Sequence, residues 1–511
     1  MQEKLRSVLK VGAPMVGYST ANILVGGSFY IIGLYFMMFL TEVEGLSFAQ
    51  ASSVVLVSRV WDAVIDPFMG LVTDRTRTRF GRRRPYYLLG IIPVIVTYLS
   101  LWNSYGISNE RSTEKMLYFI FAYVAFTTAC SLVAVPHDSL MPEIAPEYSL
   151  RVHYNSMTYI FNSVGMLSSF ALTTAMFGFS ETERFTPELK SKFMLMGLAL
   201  GIFFAVPLVI TFFSTKEKDW RNIPKPELNP REVFWEYRSA LKNRAFRQFT
   251  LLNMVNYLCI NIWSTGQPYF IKYVGRIDNK LNLVNTYDGA GQMAGFPLNY
   301  YLSLKLGKQA PARLLTPLML IALAISFFIT PKLGVENPQL VFYVQVAATM
   351  LFKFGYSGMG MMPSTIFPDT TDVDELITGQ RREGVLSACK TFTTQAMIGL
   401  GQAMFGWICT AFGVAPASDD LYQTETAIVG LRVGYAIVPA LLVALSIYLS
   451  RRYKMKKADL ELIQRVVAEK KETGTVVVSP KEKQLLESIS GQRFENMWIG
   501  RPAVQTEAEP V

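Results

Sequence analysis

Charged residues are scarce. They make up 17% of the 511 residues, against about a quarter in an ordinary soluble chain. That scarcity disfavours a soluble enzyme and a disordered chain alike. Cysteine is rare as well: Cys130, Cys259, Cys389 and Cys409 all fall in apolar stretches without metal-type spacing. They read as small core residues, which disfavours a secreted disulfide scaffold. The apolar stretches are continuous rather than alternating, so a lipid-facing β-barrel is disfavoured. No nucleophile–base pair or metal-ligand cluster stands out, and an enzyme is not expected. Nor is a cleavable signal peptide: the first apolar stretch, about 11–40, is too long for one and lacks a clear cleavage site.

What the chain has in abundance is apolar length, with 51% hydrophobic residues. Runs such as 191–214 and 433–450 suffice to cross a bilayer as helices. Twelve candidate spans follow, near 11–40, 48–73, 86–104, 115–141, 154–179, 191–214, 247–273, 283–306, 313–331, 340–366, 385–414 and 427–450. The expected fold is an all-α membrane protein of twelve transmembrane helices in two pseudo-symmetric six-helix bundles. Residues 1–214 form the first bundle, 215–246 a charged cytoplasmic linker, 247–450 the second bundle and 451–511 a polar cytoplasmic tail that begins as a helix.

The net charge of +10 then needs no nucleic acid, because cytoplasmic loops carry an excess of Lys and Arg. Residues 74–85 contain six arginines, whereas loops 41–47 and 415–426 contain no Lys or Arg. This asymmetry puts 74–85 and both termini in the cytoplasm. The cluster serves either topology alone or also gating. The loop Lys305-Leu306-Gly307-Lys308 sits in the second half where Arg79-Phe80-Gly81-Arg82 sits in the first. Two halves with matching loops suggest a transporter whose site lies between them.

The few charges within spans are the most informative. In Arg59-Val60-Trp61-Asp62-Ala63-Val64-Ile65-Asp66-Pro67, Asp62 and Asp66 are four apart and share a helix face, which Arg59 can also reach. Two carboxylates beside one guanidinium can bind a small cation or exchange a proton. They can also lock helices together as a buried pair. Lys353 lies near the middle of its span, too far from either end to snorkel. It is either a counter-charge for an anionic substrate or the partner of an acid such as Asp288.

The motif Arg59-x-Trp61-Asp62-Ala63-x-x-Asp66-Pro67, followed by Gly81-Arg82-Arg83-Arg84-Pro85-Tyr86, resembles the melibiose-permease family. These are glycoside–pentoside–hexuronide:cation symporters of the major facilitator superfamily. Sodium-dependent lysophosphatidylcholine symporters form a related branch. The resemblance continues through Val135-Pro136-His137-Asp138-Ser139-Leu140, Pro368-Asp369-Thr370-Thr371-Asp372 and Arg382-Glu383, and omits the tail. It implies a cation site of Asp62, Asp66 and Ser131, with Arg59 as gating or charge-balancing partner. Ile65 replaces an Asn common in sodium-using members and shifts the expectation toward H+ over Na+. Arg382 and Glu383 join the acidic run 369–375 as candidate inner-gate residues.

On the substrate side, the places that hold polar sugar ligands in galactoside carriers carry Gly26, Ala134, Tyr159, Asp138 and Gln395. Asn22, Trp263, Gln267 and Lys353 complete the candidate lining. The expectation is cation-coupled symport of a sugar, glycoside or sugar acid by alternating access, by a monomer in the inner membrane. A lysophospholipid-like amphiphile is the second substrate class, and a non-transporting scaffold or receptor the contrasting one. No cofactor other than the coupling ion, H+ or Na+, is expected, and no nucleic-acid partner.

Overall fold

The computed structural model describes residues 12–145, 148–177, 189–217, 238–277, 280–415, 423–453, 455 and 457–500. Most of the expected linker and of loop 415–426 lies outside these residues. Among the described residues the regular elements are helices. Each expected span falls on one. In the first half these are α1 (Gly12–Phe36), α2 (Phe48–Arg75), α3 (Pro85–Leu101), α4 (Ser112–Ile144), α5 (Tyr148–Phe177) and α6 (Lys190–Ser214). In the second they are α7 (Arg244–Tyr269), α8 (Leu281–Leu306), α9 (Ala310–Phe327), α10 (Pro338–Thr378), α11 (Glu383–Ala411) and α12 (Glu425–Arg452). Eight of these helices are long and apolar enough to cross a membrane; α3 is apolar but shorter, and α7, α8 and α11 are more polar.

Local sequence sets the boundaries. Ser47 and Gln50 form a reciprocal capping box that starts α2. Pro85 opens α3, where its missing N–H costs nothing. Asn243 and Thr424 cap α7 and α12 through their side chains. Gly379 ends α10 in the left-handed region that favours glycine. Helix α2 continues unbroken through position 67.

The same pairings recur in both halves: α1 with α5, α2 with α4 and α3 with α6; then α7 with α11, α8 with α10 and α9 with α12. The loops repeat as well. Gly81 (φ 116°) and Gly307 (φ 95°) both take positive φ. Arg84 donates to the Phe212 carbonyl at the end of α6, at 2.8 Å. Arg313 donates to Ser450 and Tyr453 carbonyls at the end of α12, at 3.2 and 3.3 Å. In each half a guanidinium thus satisfies carbonyls left open at the end of the sixth helix. The halves meet chiefly along α2 and α11.

The tail begins as a helix, as expected, and then folds back. Helices α13 (Lys457–Thr473) and α14 (Pro480–Ser490) cover the end of α10. Ile463, Val466, Leu486, Met497 and Ile499 pack on Val373, Leu376 and Ala245. Gln464 donates to Asp372 at 2.8 Å, and Lys471 pairs with Glu375.

Gly26 illustrates the packing between α1 and α5: a Cβ there would collide with the Asn162 backbone. Gly26→Ala is expected to cost about 1–3 kcal/mol as an overpacking change. Gly289→Ala, where nothing lies within 4 Å, is the control. Thermal unfolding in detergent should show a lower midpoint for the first variant and not for the second.

Candidate functional site

The site grows from one face of α2. Arg59, Asp62 and Asp66 are spaced three and four apart, so a single helix carries all three toward the bundle interior. Trp61 points another way and ties α2 to α4 by donating its indole N–H to Thr128 at 2.9 Å. That bond fixes the rotation of α2. Ser131, one turn further along α4, then donates to Asp66 Oδ1 at 2.6 Å. Asp62 is 4% exposed, and its Oδ2 lies 3.9 Å from Arg59 Nη1. This oxygen is buried and has no hydrogen-bond partner. Buried acceptors without partners are rare in folded proteins.

Arg59 is held by more than charge. Its guanidinium lies over Phe29, 4.8 Å from the ring centre, and 5.8 Å from that of Tyr123. It also donates across the interface to Gln395 Oε1 at 3.5 Å. A Cβ on Gly399 would come within 2.7 Å of Arg59 Cβ, so glycine there lets α11 lie against α2. The cluster therefore has one carboxylate, Asp62, facing the guanidinium, and a second, Asp66, held by a hydroxyl one turn further along α2, where the two halves touch. Such oxygens suit a proton or a small hard cation, and charges inside a span mark such pathways.

The other expected residues fall into two groups. Asn22 is buried and bonds His137 Nε2 at 3.0 Å. His137 is further held by Tyr87 at 2.9 Å and stacks on Tyr18. Gly26 is committed to the α1–α5 contact. Trp263 is 1% exposed and stacks on Phe352 with ring centres 4.1 Å apart. These three are packed into their own half. Ala134 is half-buried, whereas Asp138 and Tyr159 are exposed. Gln267 is buried with an unpartnered side-chain nitrogen. Gln395 is brought to Arg59. Lys353 pairs with Asp288 at 3.1 Å, as one of the two sequence alternatives anticipated.

Arg382 binds Asp374 through two bonds of 2.9 Å and donates to Ser239 at 2.6 Å. Glu383 takes Arg381 at 2.6 Å. These expected gating groups are engaged with neighbours near the end of α10. A pair between the halves instead occurs at the opposite end. Glu42 accepts from Lys272 at 2.5 Å and from Tyr273 at 2.8 Å. Thr41 and Tyr269 bond beside it at 2.8 Å. None of the sequence motifs includes this group. The one available signal was a Glu at the end of the first span and a Lys at the end of the seventh, the matching place in the second half.

A model of the family described as MFS/sugar transport protein matches residues 17–457. The chain belongs to this family. It is a multi-pass membrane transporter of a small molecule and not an enzyme. The isoprimeverose transporter of Lactiplantibacillus pentosus is 24% identical over 87% of this chain and 89% of that relative. The sodium-dependent lysophosphatidylcholine symporter 1-A of Danio rerio is 22% identical over 86% of this chain and 85% of its own. Among solved structures, the nucleoside transporter NupG superposes with a TM-score of 0.58 at 12% identity, covering 87% of this chain and all of that one. The matched family region ends at the start of α13, so the docked tail lies beyond it.

In this transporter Arg59 and Asp62 should depend on each other. Removing one member of a buried pair typically costs about 3–5 kcal/mol, because the other charge is stranded. Arg59→Met is expected to lower the thermal midpoint, and adding Asp62→Asn to restore part of it. A thermal-shift double-mutant cycle measures this directly.

Proposed function

We propose that the protein is a cation-coupled symporter of a sugar, glycoside or sugar acid that works by alternating access. The observation that carries this is the Asp66–Ser131 bond of 2.6 Å, one helical turn from a buried Asp62 oxygen that accepts no hydrogen bond. Asp62, Asp66 and Ser131 take the coupling ion. Ile65 adds no oxygen donor at the intervening position, which favours H+ over Na+. The protein spans the inner membrane twelve times as a monomer, with the Arg-rich loop and both termini in the cytoplasm. The two bundles comprise 1–214 and 247–450, joined by the linker 215–246.

On this topology the Glu42–Lys272 and Thr41–Tyr269 contacts join the halves at the outer side. Ion binding neutralises Asp62 and weakens its hold on Arg59. Arg59 also contacts Gln395 of the second half, so the ion's charge acts on the contact between halves. A carrier with only one ligand bound leaves an uncompensated charge in a dry path and does not return. Substrate lies between the halves near Asp138, Tyr159, Gln267, Lys353 and Gln395. Lysophospholipid-like amphiphiles form the alternative substrate class, supported by Ala134 and Tyr159, which stand at places where the resemblance puts polar sugar ligands in galactoside carriers.

Two experiments test this. Asp62→Asn and Asp66→Asn should each abolish uphill uptake of the accepted substrate, measured at a temperature below the unfolding midpoint of each variant. Retained cation-driven accumulation in both variants would falsify the coupling site. Thermal stabilisation should be scanned across sugars, sugar acids and lysolipids, with and without Na+ and at several pH values. A ligand at about 100 times its dissociation constant stabilises by about 2.7 kcal/mol. A response to lysolipids alone would transfer the assignment to the amphiphile class.

A further inference from the structure

Both halves end their first helix in a widened turn. Phe39–Val43 follows α1 and Phe270–Gly275 follows α7, and each is π-helical. Such turns are rare and concentrate at functional sites. The first turn carries Thr41 and Glu42. The second carries Lys272 and Tyr273. They meet across the interface at matching places in the two-fold arrangement. Glu42 is fully buried, Lys272 is 6% exposed, and their side chains lie 2.5 Å apart.

The neighbouring acid behaves differently. Glu44 turns back into its own half and pairs with Lys115 at 3.1 Å and Lys190 at 3.2 Å. A pair that only stabilises one bundle has this form. Glu42 instead joins two bodies that alternating access requires to part. Below it the interface is closely fitted: Phe48 meets Tyr269 with ring centres 5.0 Å apart. At Gly406 a Cβ would collide with Ser52.

We infer that Glu42 and Lys272 are the latch of the gate at this end of the transporter. The pair is dry when the gate is closed and hydrated when it opens. A buried ion pair is close to break-even, since lost hydration offsets much of the attraction. Tyr273 adds a hydrogen bond to the carboxylate, and Thr41–Tyr269 closes the seam beside it. A latch of this kind holds the gate shut yet yields to a modest ligand binding energy. The π turns place both partners where a small change of turn breaks the contact. This inference rests on alternating access and not on the identity of ion or substrate.

The test reads gate opening without either. Ser52→Cys places a thiol at a fully buried position under the seam. In that background, reaction with a bulky polar thiol reagent is followed on purified protein. Native Cys259, fully buried inside the second half, reports general loosening. Glu42→Gln and Lys272→Met are each expected to speed labelling at position 52 roughly tenfold, with Cys259 unchanged. The charge exchange Glu42→Lys with Lys272→Glu should slow it again toward the parent rate. Unchanged labelling in both single variants, an exchange that labels as fast as they do, or a parallel rise at Cys259 overturns the latch. Because no substrate or Na+ is present, failure of the symport proposal leaves this outcome readable.

Discussion

A charge placed between membrane-spanning helices must be compensated, because the surroundings cannot hydrate it. That constraint organises this structure from its centre outward. Arg59 faces Asp62, rests on Phe29 and Tyr123, and touches Gln395 of the other half. Asp66 takes the hydroxyl of Ser131. Lys353 takes Asp288, and Glu42 takes Lys272. The compensations differ in kind. Some join residues of one bundle and serve to hold it. Arg59–Gln395 and Glu42–Lys272 join the two bundles, so each belongs to one arrangement of them.

The seam between α2 and α11 shows how close contact and reversibility coexist. Gly399 and Gly406 are seven apart and lie on one face of α11. They let the backbone approach α2 without interlocking large side chains. Packing of small residues gives dispersion contact that can be lost and remade. Polar contacts then fix its register: Arg59–Gln395 within it, and Thr41–Tyr269 between the ends of the first and seventh helices beside it. Past Arg59, α2 continues to Asp62 and Asp66, so the candidate ion site adjoins the contact between the halves. A change of charge there acts directly on the contact that keeps the halves together.

The tail adds a separate body of structure to the second half. Its two helices bury an apolar face on Val373 and Leu376, and Gln464 and Lys471 engage Asp372 and Glu375. The acidic end of α10 is therefore largely taken up by its own half and the tail. Composition gave little warning of this. A tail with 12 basic and 9 acidic residues reads as solvated, although Leu460, Ile463, Val466 and Val467 keep the helical period of a buried face.

Much of the fold was legible because it follows from periodicity and length alone. Continuous apolar runs must be helices in a bilayer, where every backbone group needs an internal partner. The spacing of Arg59, Asp62 and Asp66 fixed a shared helix face before any contact was known. Matching glycines in the loops at 81 and 307 signalled the repeat. Tertiary structure alone decided which of these residues meet. Gly26 and Trp263, expected in the substrate lining, are packed within their own half, because close helix contact and aromatic stacking claim them. Glu42 and Lys272 lie 230 positions apart, and no local pattern links them. Helical spacing is a property of one segment, whereas a pair between bundles depends on how two segments are turned toward each other.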